Sequence, residues 1–158
     1  MGRLSTVQGN DLARAIGVVA EEIEKASENS AEFQLYVEGA SRGLAPLVRE
    51  EAYRIVSEAV RNAFRHSQAA RIEVQIRYAQ RQLQLKIRDN GKDLDPAILA
   101  AGGRAGHHGL PGMQERANIA GAKLAIWSQS DSGTEIELTV PAAVAYAKAQ
   151  ESKGHAST

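Results

Sequence analysis

The chain has 158 residues and a mass of 16.9 kDa, which suits one domain with a buried core. Lysine and arginine together number 19, as do aspartate and glutamate, so charge gives no reason to expect nucleic acid or an anionic membrane as a partner. There is no cysteine, which excludes disulfides, thiolate nucleophiles and cysteine-based zinc sites. No apolar run approaches the roughly 20 residues of a membrane span.

The first half of the chain predicts two helices with one strand between them. Residues 10–28 carry apolar side chains at helical spacing behind a capping Asn10, which predicts an amphipathic helix. Residues 33–37 alternate between apolar and polar side chains, as in a strand with one buried face. Pro46 suits the first turn of a long helix, whose apolar stripe extends to about residue 67.

The second half predicts four strands and a helix around a long loop. The loop is rich in glycine, spans residues 89–112 and includes a short helical turn at 96–101; loops of this length inside compact domains are often functional. A helix follows at 112–120 and ends at Gly121, and a short terminal helix occupies 142–150. The four strands are predicted at 72–78, 83–87, 123–128 and 135–140.

These elements predict an α+β fold with two layers. Every predicted strand except 123–128 alternates cleanly, so one sheet face is covered and the other faces water. With about three helices available, the economical arrangement is a sandwich. Its helices cover one face of a mixed, mostly antiparallel sheet of about five strands.

The first group of residues suited to chemistry lies on the long helix. Helical spacing brings Glu58, Asn62, Arg65 and His66 to one side of it. An asparagine oxygen suits Mg²⁺, a nearby glutamate accepts from the water shell of the ion, and an arginine meets phosphate oxygens. A solvated helix face is the simpler explanation of this group taken alone.

Three further groups come later in the chain. Asp89-Asn90-Gly91 directly follows a strand, where a carboxylate can accept from an exocyclic amine, although a common turn explains this group taken alone. Residues 102–113 form a glycine-rich stretch that leads into a helix, which favours phosphate, although a flexible surface loop explains them equally well. They match neither a Walker loop nor a dinucleotide fingerprint. Thr134 can add a hydroxyl to a nucleotide pocket, and a hairpin turn is again the alternative.

The order of these groups resembles the ATP-binding catalytic domain of bacterial sensor histidine kinases. That domain has the Bergerat fold, which gyrase, Hsp90 and the mismatch-repair ATPase share. Residues 58–67 (EAVRNAFRHS) resemble the N box of the branch that includes the nitrate-sensor and lipid-fluidity-sensor kinases. Residues 109–117 (GLPGMQERA) match the second glycine box of that branch. The resemblance covers about residues 31–141, and the four motifs in order make it specific.

The resemblance implies a role for each residue of the four groups. Asn62 would bind Mg²⁺ and Glu58 would orient its water shell, both as catalytic residues. Arg65 and His66 would face the phosphates, and residues 92–108 would form the mobile lid over ATP. Asp89 would hold the adenine amino group, with Gly91 beside the ring and Thr134 completing the pocket. The phosphate-side loop would consist of Gly109, Leu110 and Gly112.

The chain departs from the family pattern at two positions. Asp93 stands where the family often has a second glycine, which would alter the hinge of the lid or bring a negative charge near phosphate. Arg65 replaces a frequent lysine. In addition, no helical hairpin with a phospho-accepting histidine precedes residue 31, so we expect a catalytic domain from a longer protein.

We therefore expect three parts: a helix and linker at 1–30, a kinase-like ATPase domain at 31–141, and a short helix and tail at 142–158. The expected function is transfer of the γ-phosphoryl group of ATP to a histidine on a dimerisation domain absent from this chain, in a pathway with a response regulator. The chain alone is expected to be a cytoplasmic monomer that binds ATP and Mg²⁺ without phosphorylating itself. The parent protein is a candidate for an inner-membrane anchor.

Two other functions are compatible with parts of the pattern. An anti-sigma-factor serine kinase uses the same fold as a short stand-alone chain, but the second glycine box fits the sensor kinases better. An interaction module that has lost ATP binding is encouraged only by Asp93. Gyrase-like and Hsp90-like ATPases need a further transducer domain, which 158 residues cannot hold.

Overall fold

The computed structural model describes residues 11–28, 30–66, 70–91, 109–129 and 133–147. This part of the chain forms four helices and five strands. The helices are α1 (Asp11–Ala26), α2 (Pro46–His66), α3 (Gly109–Ile119) and α4 (Ala142–Ala145). The strands are β1 (Glu32–Glu38), β2 (Arg71–Tyr78), β3 (Gln82–Asp89), β4 (Lys123–Gln129) and β5 (Gly133–Pro141).

The five strands form one sheet in the order β1-β2-β3-β5-β4. β1 and β2 run parallel, which is possible because α2 connects them as a crossover. The other three neighbouring pairs are antiparallel, and a short turn joins β2 to β3 as a hairpin. The predicted mixed, mostly antiparallel sheet is therefore confirmed.

The core lies between one sheet face and the three long helices. Alternate residues of β2, β3 and β5 are buried, and each long helix buries one stripe against them. Full burial of one such aliphatic side chain stabilises the fold by about 1.5–3 kcal/mol. The predicted two-layer α+β arrangement is confirmed. The largest fully buried side chains include Leu12, Ile16, Ile55, Ile72, Ile76, Leu83, Leu85, Met113 and Leu138.

α2 is the central helix of the helical layer. α1 packs against α2 and β1, whereas α3 packs against α2 and β4. Because β1 and β4 are the two edge strands, α1 and α3 flank α2 over opposite edges of the sheet. Among the described residues, no helix is long and apolar enough to cross a membrane.

The second sheet face is open and polar. Its side chains form cross-strand ion pairs, with Glu38 lying 3.6 Å from Arg77 and Arg88 lying 3.5 Å from Glu135. Exposed pairs of this kind contribute at most about 1 kcal/mol each. Trp127, the only tryptophan of the chain, lies on this face in β4 and is 50% exposed.

Two helix boundaries differ from the sequence predictions. α3 begins at Gly109, three residues before the predicted start at residue 112, because Pro111 lies in its first turn, where no backbone N–H is needed. The terminal helix ends at Ala145, because Tyr146 is extended and forms an isolated bridge with Leu44. The helical turn predicted at 96–101 lies outside the described residues.

Candidate functional site

The fold brings the predicted site residues to one end of the sheet, which we call the Asp89 end. Asp89 ends β3 and pairs with Ile72 near the start of β2 and with Thr134 near the start of β5. α2 also reaches this end, because its last residue, His66, comes shortly before β2 begins. α3 leads into the start of β4 at the opposite end, so its N-terminus points back towards the Asp89 end.

A side-chain contact supports this antiparallel arrangement of α2 and α3. Glu51 lies near the start of α2 and Arg116 near the end of α3, and their Oε1 and Nη1 atoms are 3.3 Å apart. The first turn of α3 therefore lies beside the C-terminal half of α2. That half carries Glu58 and Asn62, so two of the predicted groups come together here.

Asp89 is a half-buried carboxylate at the end of its strand. Its Oδ1 atom accepts a 3.0 Å hydrogen bond from the backbone N–H of Gly91. Burial raises the pKa of Asp89 above its ordinary value, and the backbone N–H groups of Gly91 and Thr134 oppose that rise. A carboxylate has about four acceptor positions, so Asp89 retains capacity for an amine donor from a ligand.

Gly133 allows β5 to begin directly against the main chain of Asp89. Its φ is +93°, and a Cβ atom built on it would lie 1.9 Å from the carbonyl oxygen of Asp89. No side chain fits at that distance, so this position requires glycine. The next residue, Thr134, is 8% exposed and pairs with Asp89 across the two strands.

Asn90 ties the end of β3 to the start of β2. Its Oδ1 atom accepts hydrogen bonds from the backbone N–H groups of Ala70, at 3.0 Å, and Arg71, at 2.8 Å. Its own N–H donates to the Arg71 carbonyl at 3.3 Å. These three bonds hold the backbone that follows Asp89 against the start of β2.

The C-terminal half of α2 carries Glu58 and Asn62 as half-buried side chains. Glu58 accepts a 3.3 Å hydrogen bond from Arg61, which partly balances its charge. Arg65 is exposed and, with Arg61 and Phe64, lines a groove of about 710 Å³ between the C-terminal ends of α1 and α2. Arg65 thus reaches the Asp89 end but lies towards α1, whereas α3 flanks α2 on the other side.

The first turn of α3 points backbone N–H groups towards the Asp89 end. Gly109 and Leu110 begin the helix, and Gly112 is its fourth residue. A Cβ atom built on Gly112 would meet no described atom within 4 Å. The amides and dipole of a helix N-terminus favour anions, and the open surroundings of Gly112 leave space for one to approach closely.

The oxygen donors on α2 fit a metal ion held mainly by phosphate and water. Asn62 and Glu58 offer one amide oxygen and one carboxylate, a turn of helix apart. Within the described ranges, no three His, Asp or Glu side chains gather into a metal-binding group. Mg²⁺ bound together with a nucleotide needs only one or two protein oxygens, because phosphates and water complete its shell.

Some of the predicted residues lie beyond what the structure describes. The side chain of His66 is among these, as are residues 92–108, including Asp93. Gly109 and Leu110 are placed by their backbone alone. The roles predicted for all of these residues stay predictions.

Sequence reasoning assigned no role to Asn90, Gly133, Glu51 or Arg116. The first two stand inside recognised turn motifs, so their residue types carried a signal that was read only as turn chemistry. The Glu51–Arg116 pair carried no local signal, because its partners are 65 residues apart in the chain.

This fold agrees with what a family comparison finds. Residues 48–144 match the family of histidine kinase-, DNA gyrase B- and HSP90-like ATPases. The chain belongs to this family. An ATPase domain binds ATP, and the matched range contains Glu58, Asn62, Asp89, the whole of α3 and Thr134.

One relative is a sensor histidine kinase, and two solved structures share the fold. The chain is 32% identical over 136 residues to the sensor histidine kinase LiaS of Bacillus subtilis, which covers 86% of this chain and 36% of LiaS. The blue-light activated histidine kinase of Erythrobacter litoralis shares its fold with a TM-score of 0.66 at 18% identity, over 82% of this chain and 41% of that one. The catalytic domain of histidine kinase ThkA gives a TM-score of 0.68 at 14% identity, over 84% and 90%. The chain thus spans about a third of the length of LiaS.

Proposed function

We propose that this chain is the ATP-binding catalytic domain of a sensor histidine kinase. The observation that carries the proposal is the convergence at the Asp89 end of the sheet of a strand-end carboxylate, an Asn-bearing helix and a glycine-rich helix N-terminus. The similarity to LiaS over most of the chain supports it. LiaS is a sensor histidine kinase, so the alternative of an anti-sigma-factor serine kinase is not favoured.

The adenine ring would lie against the ends of β3 and β5. Asp89 accepts a hydrogen bond from the exocyclic amino group, which requires its carboxylate to be ionised or to present a free oxygen. Gly91 leaves room for the ring beside the backbone, and the hydroxyl of Thr134 completes the pocket. We call Asp89, Asn90, Gly133 and Thr134 the adenine side.

The phosphates would lie between α2 and the first turn of α3, which we call the phosphate side. The N–H groups of Gly109, Leu110 and Gly112 would meet phosphate oxygens. Arg65 and His66 would add positive charge, with the long side chain of Arg65 approaching from the groove beside α1. Asn62 and Glu58 would hold Mg²⁺ and its water shell. When bound, this ion supplies charge neutralisation for phosphoryl transfer.

The proposed reaction transfers the γ-phosphoryl group of ATP to an imidazole nitrogen on a separate dimerisation domain. The bond between the γ-phosphorus and the bridging oxygen breaks, a phosphorus–nitrogen bond forms, and ADP leaves. The residues of this chain contribute positioning and electrostatics rather than covalent chemistry. A response regulator would receive the phosphoryl group next, and residues 31–141 would act as a cytoplasmic monomeric unit within this relay.

Two measurements test the proposal. Calorimetric titration of the non-hydrolysable analogue AMP-PNP with Mg²⁺ should show micromolar binding to this chain, whereas Asp89→Asn should lose most of it. With γ-labelled ATP, the longer protein that carries the dimerisation domain should form an acid-labile phosphohistidine, and Asn62→Asp should abolish this label. An acid-stable phosphoserine on an antagonist protein would instead support the serine kinase. Absence of nucleotide binding at millimolar concentration would contradict both functions.

A further inference from the structure

We propose that the ion pair between Glu51 and Arg116 positions the first turn of α3 against Asn62 and thereby sets affinity for the phosphate part of the nucleotide. Neither residue touches the nucleotide, so both are positioning residues. The inference rests on the proposed phosphate side. It identifies an ion pair that affects the affinity of that site although the pair lies far from the atoms that would bind the phosphates.

The burial of Glu51 is the first observation. Its side chain is only 12% exposed, and it is one of the few buried charged residues of the described chain. A carboxylate in that position is costly unless a cation pairs with it, and Arg116 supplies the cation at 3.3 Å. The pair therefore favours the placement of α3 along α2 that keeps Arg116 beside Glu51.

The described apolar contacts of α3 specify that placement only weakly. Its described buried residues are Met113 and Ala117, followed by Ala120 just after the helix. Methionine adapts its shape to different surroundings, and alanine projects too little to interlock with a neighbouring helix. A small slide of α3 along its axis would change these contacts little, but it would separate Glu51 from Arg116.

A slide of α3 along α2 would move the first turn of α3 relative to Asn62. Arg116 lies about 10 Å along the helix axis from Gly109, and Glu51 lies about 16 Å from Asn62, at a rise of 1.5 Å per residue. Both helices are rigid over these lengths. Loss of the pair would therefore displace the α3 amides relative to Asn62 while leaving the ends of β3 and β5 in place.

The chain offers a matched control on the same helix. Glu50 and Arg54 form an ion pair of 2.7 Å, but their side chains are 48% and 50% exposed and both belong to α2. Exposed pairs at this spacing contribute little. Substitution of Glu50 thus changes the charge of α2 at a neighbouring position without releasing α3.

The test compares two ligands in this chain. Calorimetry measures the affinities for AMP-PNP with Mg²⁺ and for adenosine, and thermal unfolding checks that each variant folds. The variants are Glu51→Gln, Arg116→Lys, Glu50→Gln and the swap that combines Glu51→Arg with Arg116→Glu. We expect Glu51→Gln and Arg116→Lys to weaken AMP-PNP about tenfold and to leave adenosine within about twofold. Glu50→Gln should change neither, and the swap should recover at least part of the AMP-PNP affinity.

Other results of the same titrations would contradict the inference. Equal losses for AMP-PNP and adenosine would show that the pair only supports the fold, and no loss for either ligand would show that it has no role in binding. If the single variants fail to unfold cooperatively, the folded swap decides: a swap whose AMP-PNP affinity stays far below that of the wild type while its adenosine affinity is unchanged would overturn the inference. Failure of the wild type to prefer AMP-PNP would instead overturn the proposed phosphate side.

Discussion

The adenine side and the phosphate side are built in different ways. On the adenine side, backbone hydrogen bonds, a glycine that admits no Cβ and cross-strand pairing fix Asp89 from three directions. On the phosphate side, the described side chains that hold α3 against α2 are small or adaptable, apart from one partly exposed ion pair. The first side is part of the sheet, whereas the second depends on how two helices pack.

Because of this difference, the two sides should contribute to nucleotide binding in different ways. A preformed adenine side avoids an entropic cost of ordering when the base arrives. The phosphate side rests on the packing of two helices rather than on the sheet, so it is the side more able to shift between nucleotide states. Substitutions that break the backbone contacts of the first side should therefore act on stability and adenosine affinity together, and those on the second should act on the phosphate-dependent part.

The largest expected effect is that of Gly133→Ala. The new Cβ would collide with the Asp89 carbonyl, and the alanine would have to adopt a positive φ. The free energy of unfolding should therefore fall by about 2–4 kcal/mol. Urea unfolding measures this change. Gly121→Ala is the matched control, because Gly121 also has a positive φ, of 73°, but meets only the Val144 side chain, at 3.3 Å. A loss no greater than that of the control would contradict the steric argument.

Asn90→Ala should be the next most damaging change. It removes the acceptor of the N–H groups of Ala70 and Arg71, which are exposed, so the cost should be about 0.5–1.5 kcal/mol. Adenosine affinity should fall as well, because the backbone after Asp89 loses its anchor. Asn90→Asp keeps an oxygen in place and should retain most of both properties. Faster amide hydrogen exchange at Ala70 and Arg71 in the alanine variant would identify the cause; unchanged exchange would argue against it.

Asp89→Asn should separate affinity from stability. Loss of the charge-assisted hydrogen bond should weaken AMP-PNP by about tenfold or more. Because burial raises the pKa of Asp89, the folded state prefers the protonated form, so the wild type loses stability as the pH rises through that raised pKa. The variant has no such loss. Its Tm without nucleotide should slightly exceed that of the wild type at pH 7, and the gain should vanish near pH 3.5; a gain independent of pH would contradict the assignment.

The smallest expected effect is that of Gly112→Ala. The added Cβ meets no described atom and sits in a helix, so the variant should gain about 0.5 kcal/mol of stability. AMP-PNP affinity should nevertheless fall while adenosine affinity stays the same, because the methyl group would occupy space left for phosphate. Paired titrations measure both. Equal AMP-PNP affinity in variant and wild type would move the phosphates away from this position.

The sequence alone predicted the five strands, the three long helices and the mixed sheet, because alternation and helical spacing are local properties. The boundary of α3 was wrong by three residues, since Gly109 and Pro111 look like loop residues until the helix around them is known. The last helix was predicted too long, because the pairing of Tyr146 with Leu44 is a contact between distant segments.

The candidate site, like the fold, could be predicted from the sequence only in part. Asp89, Asn62 and Thr134 stood out by motif order, and their gathering at one end of the sheet follows from the topology. The hydrogen bonds of Asn90 and the approach of Gly133 to the Asp89 carbonyl depend on strand register, which no single motif reveals. The Glu51–Arg116 pair depends on the packing of two helices and left no local trace.

The position of Trp127 gives the domain a built-in optical reporter. It is the only tryptophan of the chain. Fluorescence excited beyond the absorption of tyrosine therefore comes from this one side chain. Trp127 pairs with Glu135, next to Thr134, but it lies on the open sheet face, away from the helices and the proposed nucleotide. A nucleotide that binds to a rigid sheet would leave its emission unchanged. A change on binding would therefore report movement of β4 and β5 themselves.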